Sequence, residues 1–165
     1  MEFLLGNIDY PVDWQYIREY NRIIGEGLVR DAGRLREYGV RIGGTGWVPE
    51  IPAVESSQER VRGILEESEG EDTAMLLFGA VTRGQWFSDG NKRTALMVAN
   101  HQLIHDGIGI FSIPPEDKAQ FVSMLLRTTR RATTPGSPIG SHRTPSPCAR
   151  RADFGPIVWG RGKDE

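Results

Sequence analysis

Apolar residues between positions 12 and 126 recur at intervals of three and four rather than two, the spacing of helices that each bury one face. A first helix is predicted after Pro11, with Asp13 as its N-cap and Trp14, Ile17, Ile24 and Leu28 along one stripe that reads as core. The period then breaks. From Tyr38 to Pro52, β-branched residues bracket a Gly43-Gly44-Thr45-Gly46 cluster, which predicts a short hairpin, and Pro49 and Pro52 bar a helix from continuing through it. Helical spacing returns from about Ser56 to Glu67, with Val61, Ile64 and Leu65 inward, and from about Asp72 to Arg83, where the nearly all-apolar run Ala74 to Val81 predicts a central helix. Another helix is predicted from about Asn91 to the Asp106-Gly107 stop, with Ala95, Val98, Ala99 and Leu103 inward. A last one starts at Pro115-Glu116 and keeps its order to Leu126.

Beyond Leu126 no period survives. Residues 127–165 carry five of the ten prolines, five glycines and clusters of Ser and Thr, with seven Arg and one Lys against three acidic residues. That tail holds +5, leaving −7 on residues 1–126. It reads as a solvated, disordered appendage, with a phosphate-binding basic arm and a shifted reading frame as the other two readings. The whole chain, 165 residues with 38% hydrophobic and 25% charged, fits one soluble globular domain plus this appendage. A net charge of −2 gives no overall excess to grip nucleic acid. A single cysteine, Cys148, excludes a disulfide framework and a Cys-rich zinc site. The apolar start at Phe3 to Leu5 is too short for a leader or a membrane span, so a cytoplasmic chain is expected.

Chemistry concentrates in the polar stretch between the two most apolar helices, Gln85-Trp-Phe-Ser-Asp-Gly-Asn-Lys-Arg-Thr94. It opens a helix, and a helix amino end offers unpaired N–H groups and about half a positive charge, an anion cradle at Gly90 and Asn91 before any side chain is counted. Lys92 and Arg93 place two cations in a first turn where the dipole disfavours them, which is sensible if a multiply charged anion sits there. Asp89 would repel that anion unless a divalent cation lay between, and Mg²⁺ held by one carboxylate plus phosphate oxygens is the usual arrangement. The competing reading is that Asp89 only caps the helix and both cations are solvated.

The run Phe87, Asp89, Gly90, Asn91, Lys92, Arg93 resembles, in register, the Fic/Doc signature His-x-Phe-x-Asp/Glu-Gly/Ala-Asn-Gly/Lys-Arg, and Ile42-Gly-Gly-Thr-x-Trp-x-Pro49 resembles the hairpin flap that such proteins place ahead of it. The resemblance covers roughly Val12 to Leu126 and includes Gly33-Arg-Leu-Arg36. It implies a mainly α fold, a compact Fic-type helical bundle with a short β-hairpin flap. It also implies transfer of AMP from ATP to a protein hydroxyl. Asp89 would hold Mg²⁺, while Gly90, Asn91 and Lys92 would meet phosphate oxygens and Arg93 would neutralise the β or γ phosphate. The flap at Ile42, Gly43, Gly44 and Thr45 would pair with a segment of the target protein. Phe87 would pack the loop into the core. An antitoxin-like partner belongs to the same implied setting.

Two positions depart from that pattern. The histidine that acts as general base falls on Gln85, and an amide cannot take a proton, so the implied transfer is impaired; a catalytically inactive nucleotide-binding regulator is the alternative. Leu96 stands where many AMP-transferring members carry a second arginine, and with Lys92 this looks more like the Doc branch, whose activity is phosphorylation. No inhibitory Ser/Thr-x-x-x-Glu-Gly/Asn motif is found, since Arg22 and Leu65 hold the first position ahead of Glu26 and Glu69. A P-loop is absent. His101 and His105 share a helix face but have no third ligand, and read as surface or packing residues. Trp14, Trp47 and Trp86 read as core, with Trp47 also placed to stack on a target.

Overall fold

Asp13 opens the first long helix, its carboxylate accepting the Tyr16 amide N–H at 2.8 Å, so the predicted cap is in place. A computed structural model describes residues 2–43 and 47–123 and the backbone of Trp159–Gly160. The elements are α1 (Glu2–Leu5), α2 (Trp14–Gly25), α3 (Val54–Glu67), α4 (Gly70–Gly84), α5 (Asn91–His105), β1 (Ile110–Phe111), a 3-10 turn at Pro115–Asp117 leading into helix at 118–123, and β2 (Trp159–Gly160). No helix among the described residues is long and apolar enough to cross a membrane.

The fold is the mainly helical bundle expected. Helices α4 and α5 pack along each other, α2 lies on α5, and α3 on α4. Ile17, Leu77, Phe78, Val81, Ala95, Val98 and Leu103 are fully buried at these contacts. Burying each large apolar side chain contributes about 1.5–3 kcal/mol, so the α4–α5 seam is the stabilising centre. Helix α5 is as central as α4, buried on nearly every side, which is why two of its polar residues, Asn100 and His101, must find partners inside.

Three expectations need correction. Helix α2 ends at Gly25, and Leu28 is 76% exposed because it follows the stop. Helix α3 starts two residues ahead of Ser56, directly after Pro52 and Ala53. The predicted hairpin shows no strand among the described residues of 38–52, where Ile42 N–H donates to Trp47 O at 3.3 Å across the base of the loop. From the tail, Trp159–Gly160 form β2, which pairs antiparallel with β1, Gly160 opposite Ile110 and Trp159 opposite Phe111. Its other residues, and 124–126 of the last predicted helix, lie outside the described residues.

His101 is the packing histidine the sequence suggested. Its Nε2 meets the Tyr10 carbonyl at 2.8 Å and so carries the proton, leaving Nδ1 to accept from the Tyr20 hydroxyl at 2.8 Å. His105 likewise ties to the Ile8 carbonyl at 2.8 Å. Burial holds the His101 pKa below its ordinary value, against a smaller opposing pull from the Tyr10 carbonyl. The unfolded chain therefore binds a proton near pH 6.5 that the folded chain refuses, so stability falls as pH drops through and below that value, by at most about 1.4 kcal/mol per pH unit. Denaturant melts from pH 8 to 5 should show this slope, and His101→Gln should flatten it; an unchanged slope would contradict the buried neutral tautomer.

Candidate active site at the amino end of α5

Helix α4 ends at Gln85, whose backbone lies at φ 45°, ψ 50°, in the left-handed region. It is the one non-glycine with positive φ among the described residues, so local strain falls on the position that matters most to the motif. Its backbone N–H donates to Val81 O at 3.2 Å, and two further bonds hold it there. The Gln85 side-chain amide folds back to donate to Thr82 O at 2.6 Å, and the Gln85 carbonyl accepts from Arg36 Nε at 2.5 Å. The amide thus finishes the last turn of α4. The chain then turns tightly, for a Cβ at Gly84 would collide with the Trp86 indole. Trp86 is buried edge-on against Trp14, ring centroids 5.3 Å apart.

Arg36, which the sequence placed within the resembling run but gave no role, organises this region. It is 1% exposed, and its partners among the described residues are all backbone carbonyls: Tyr38, then Gln85 and Glu50 at 2.5 Å each, and Pro49 and Gly84 at 3.4 Å each. Burial pulls its pKa down from the ordinary arginine value, yet a guanidinium stays charged. The negative end of the α4 dipole, at the Gly84 and Gln85 carbonyls, offsets part of that buried charge. A single side chain thereby joins the end of α4, its own strand-like segment and the return arm of the flap. The adjoining backbone adds Arg36 N–H to Trp86 O at 3.0 Å and an isolated antiparallel bridge between Leu35 and Phe87.

The loop after Trp86 is braced from below. Asn91 accepts the Phe87 N–H at 2.9 Å and donates to the Phe87 carbonyl at 2.7 Å, and Asn100 makes the same two-way pairing with Phe111. The Asn91 side chain is thus spent on the loop, which leaves its backbone N–H to face an anion. Asn21 donates to Asp89 O at 2.9 Å and Thr94 Oγ1 at 3.1 Å while accepting Gly33 N–H, and Ser88 donates to Asp31 at 2.7 Å. Phe87 is buried at 1% exposure, as the resemblance implied.

Helix α5 begins at Asn91 with Gly90 as its N-cap, φ 79°, and no side chain caps it. Gly90 is required twice, by its left-handed backbone and because a Cβ would press on Asn21 Nδ2 at 3.1 Å and Ile24 Cγ2 at 3.3 Å. The reading in which Asp89 merely caps α5 is set aside by that geometry. Asp89 instead reaches along the surface to Arg93, Oδ2 to Nη2 3.3 Å, with the two side chains 65% and 55% exposed. An exposed pair of this kind is worth about 0–1 kcal/mol and opens readily for a ligand. Lys92 is exposed beside it. The loop therefore brings Asp89, Gly90, Lys92 and Arg93 to one open helix end.

The flap meets this loop at its return arm. Trp47 Nε1 donates to Arg83 O at 3.1 Å, and the Arg83 guanidinium lies 5.1 Å from the Trp47 ring centroid, so Trp47 fastens the flap to α4. Ile42 is half-buried and Gly43 exposed, whereas Gly44 and Thr45 lie outside the described residues.

A family model described as Fic/DOC family matches residues 11–103. Among solved structures, a segment of Fic-1 from C. elegans superposes with a TM-score of 0.66 at 19% identity, over 79% of this chain and 41% of that one. A Fic domain containing signaling protein from Bacteroides thetaiotaomicron gives a TM-score of 0.59 at 22% identity, over 77% and 53%. The chain thus spans about half or less of the structures it matches, and at these identities the likeness is one of fold. A search of curated proteins finds no match.

Proposed function

Because the chain belongs to the Fic/DOC family, we propose that it binds a magnesium-bound ATP at the amino end of α5 and transfers AMP to a protein hydroxyl slowly, for want of a general base. The observation that carries this reading is the uncapped start of α5 at Gly90 with Asp89 and Arg93 in contact beside it. Phosphate oxygens would meet the N–H groups of Asn91, Lys92 and Arg93, where the helix dipole favours negative charge. Arg93 would leave Asp89 for the terminal phosphates, and Lys92 would add a second, solvated cation.

Asp89 fits a magnesium ion in the limited sense that this ion asks for. Among the described residues no three His, Cys, Asp or Glu side chains gather to hold a metal by themselves, and magnesium commonly takes one carboxylate and completes its shell with water and phosphate oxygens. When bound, it would neutralise phosphate charge and orient the nucleotide. The flap at Ile42, Gly43, Gly44 and Thr45 would align a segment of the target so that its hydroxyl attacks the α phosphorus in line while pyrophosphate leaves. Gln85 could orient that hydroxyl only by giving up its bond to Thr82, and it could not accept the proton.

Leu96 favours a second reading. It packs partly buried against the core and supplies no cation where an AMP-transferring site would carry one, as in a Doc-like phosphotransferase. Incubating the protein with magnesium and ATP labelled at either the α or the γ phosphate separates these readings. AMP transfer deposits the α label on protein and phosphorylation deposits the γ label, while a nucleotide-binding regulator deposits neither.

A further inference from the structure

A cavity of about 470 Å³ opens where the end of α3, the start of α4 and the end of α5 meet, roughly 20 Å by helical rise from Gly90 at the other end of α5. Gln102 lines it and is only 7% exposed. The Gln102 Nε2 donates to both oxygens of Asp106, at 3.1 and 2.9 Å, and that pairing fixes which way the amide lies, since the reverse would set its oxygen against a carboxylate. The group left over is therefore an acceptor: Gln102 Oε1 is buried with no hydrogen-bond partner among the described residues, whereas such groups almost always have one. The two hydroxyls on the wall have no proton to offer it. Ser68 donates to Ile64 O at 2.5 Å, so the 2.9 Å contact between Ser68 and Thr73 uses the Thr73 proton. Glu69 and Asp106 add two exposed carboxylates, and no cationic side chain among the described residues lines the cavity. Glu71 and Asp72, in the first turn of α4, already counter the dipole at its amino end. The side-chain donors here are spent and the acceptors are not.

We propose that this cavity binds an alkylguanidinium cation, the group that ends an arginine side chain or a small free amine of the same class. Two carboxylates without a cation call for positive charge, and the buried amide oxygen and the Thr73 oxygen beside them call for several N–H donors fanned out from one group, which a guanidinium supplies and a compact ammonium does not. The guanidinium donates to Gln102 Oε1 and Asp106, and its methylene stem runs against Leu65 and Ile108, the apolar part of the wall. The volume suits an organic group rather than a bare metal ion, and among the described residues no three His, Cys, Asp or Glu side chains gather to hold one. Because Asp106 ends α5 and Glu69 precedes α4, an occupant clamps the two central helices at the end far from the motif loop. The assignment is independent of the nucleotide site.

Amide NMR shifts of the isotope-labelled full chain, titrated with agmatine, with N-acetylarginine amide and with the neutral N-acetylcitrulline amide, test the proposal. Both guanidinium compounds should shift the Gln102 side-chain NH₂ and the Gly70 and Thr73 amides saturably, and should bind about tenfold or more tightly than the citrulline compound, the scale of one charge-assisted hydrogen bond. Tighter binding of agmatine marks a free cation as the ligand, and equal or tighter binding of acetylarginine amide marks an arginine of a polypeptide. Gln102→Met and Asp106→Asn should each weaken binding about tenfold and Glu69→Gln severalfold, while Glu67→Gln, which removes an exposed carboxylate outside the cavity, leaves it unchanged. Equal affinity for the citrulline compound, weakening by Glu67→Gln as large as by Glu69→Gln, shifts centred on Gly90 to Arg93, or no saturable shift would each overturn it. Should Gln102→Met fail to fold, Asp106→Asn and Glu69→Gln decide.

Discussion

Gln85→His should raise transfer of AMP to protein by about 10²- to 10⁴-fold, the usual contribution of a general base. The attacking group is a hydroxyl whose pKa lies far above neutrality, and the wild-type loop offers nothing to receive its proton. The Gln85 amide is turned back onto Thr82, and the buried His101, well along α5, is committed to Tyr10 and Tyr20. An imidazole at position 85 titrates near neutrality and can accept the proton. The backbone there also suits the change, because φ 45° is a conformation in which His is enriched among non-glycine residues, so the variant should fold as well as the parent. The loose transition state of phosphoryl-type transfer leaves the wild type a residual rate, since positioning and charge neutralisation remain. Radioactivity from α-labelled ATP on protein, compared between parent and variant at equal concentration, is the readout. Equal labelling of the two would mean that position 85 is not the seat of the missing base.

Arg36→Met should cost about 3–5 kcal/mol of folding stability, the sum of several carbonyls left without a donor at about 1–3 kcal/mol each. The carbonyls of Gln85, Tyr38 and Glu50 would each lose a close charged donor, and methionine offers them none. Arg36→Lys keeps the charge but not the fork that serves three chain segments at once, so it should recover only part of the loss. Urea unfolding monitored by circular dichroism gives both values from the shift in midpoint. A loss below about 1 kcal/mol for the methionine variant would show that the arginine's bonds only replace bonds to water. Because the flap arm is attached through the Glu50 and Pro49 carbonyls, the same variant should also loosen the segment around Trp47 ahead of global unfolding, visible as faster amide exchange there.

The helices were legible because their signals are local. Asp13 caps α2, the Asp106-Gly107 stop ends α5, and the apolar period places Ala95, Val98 and Leu103 inward, all by interactions within a few residues. The motif loop was legible for the same reason, being one continuous run from Gln85 to Arg93. What stayed hidden depends on distance along the chain. Arg36 looked like any cation in a polar stretch, and nothing near it announces that carbonyls at 49, 50, 84 and 85 converge on it. The Asn21 bonds to Asp89 and Thr94 bridge 68 and 73 positions, beyond the reach of any periodicity. The bracing by Asn91 stayed hidden because sequence places an amide at a helix start without revealing that Phe87 engages both of its ends. The flap carries no strand among its described residues, since β-branched residues around glycines carry propensity but no guarantee of a paired ladder. The pairing of Trp159–Gly160 with β1 was missed because two residues have no period to detect.

A calorimetric titration of the full chain with ATP in the presence of magnesium tests most directly whether the α5 amino end holds a triphosphate. Saturable binding at one site is the predicted result, weakened at least about tenfold by Asp89→Ala and by Arg93→Ala, each the loss of one charged contact. Absence of binding by the folded parent protein, or binding that neither substitution alters, would contradict it.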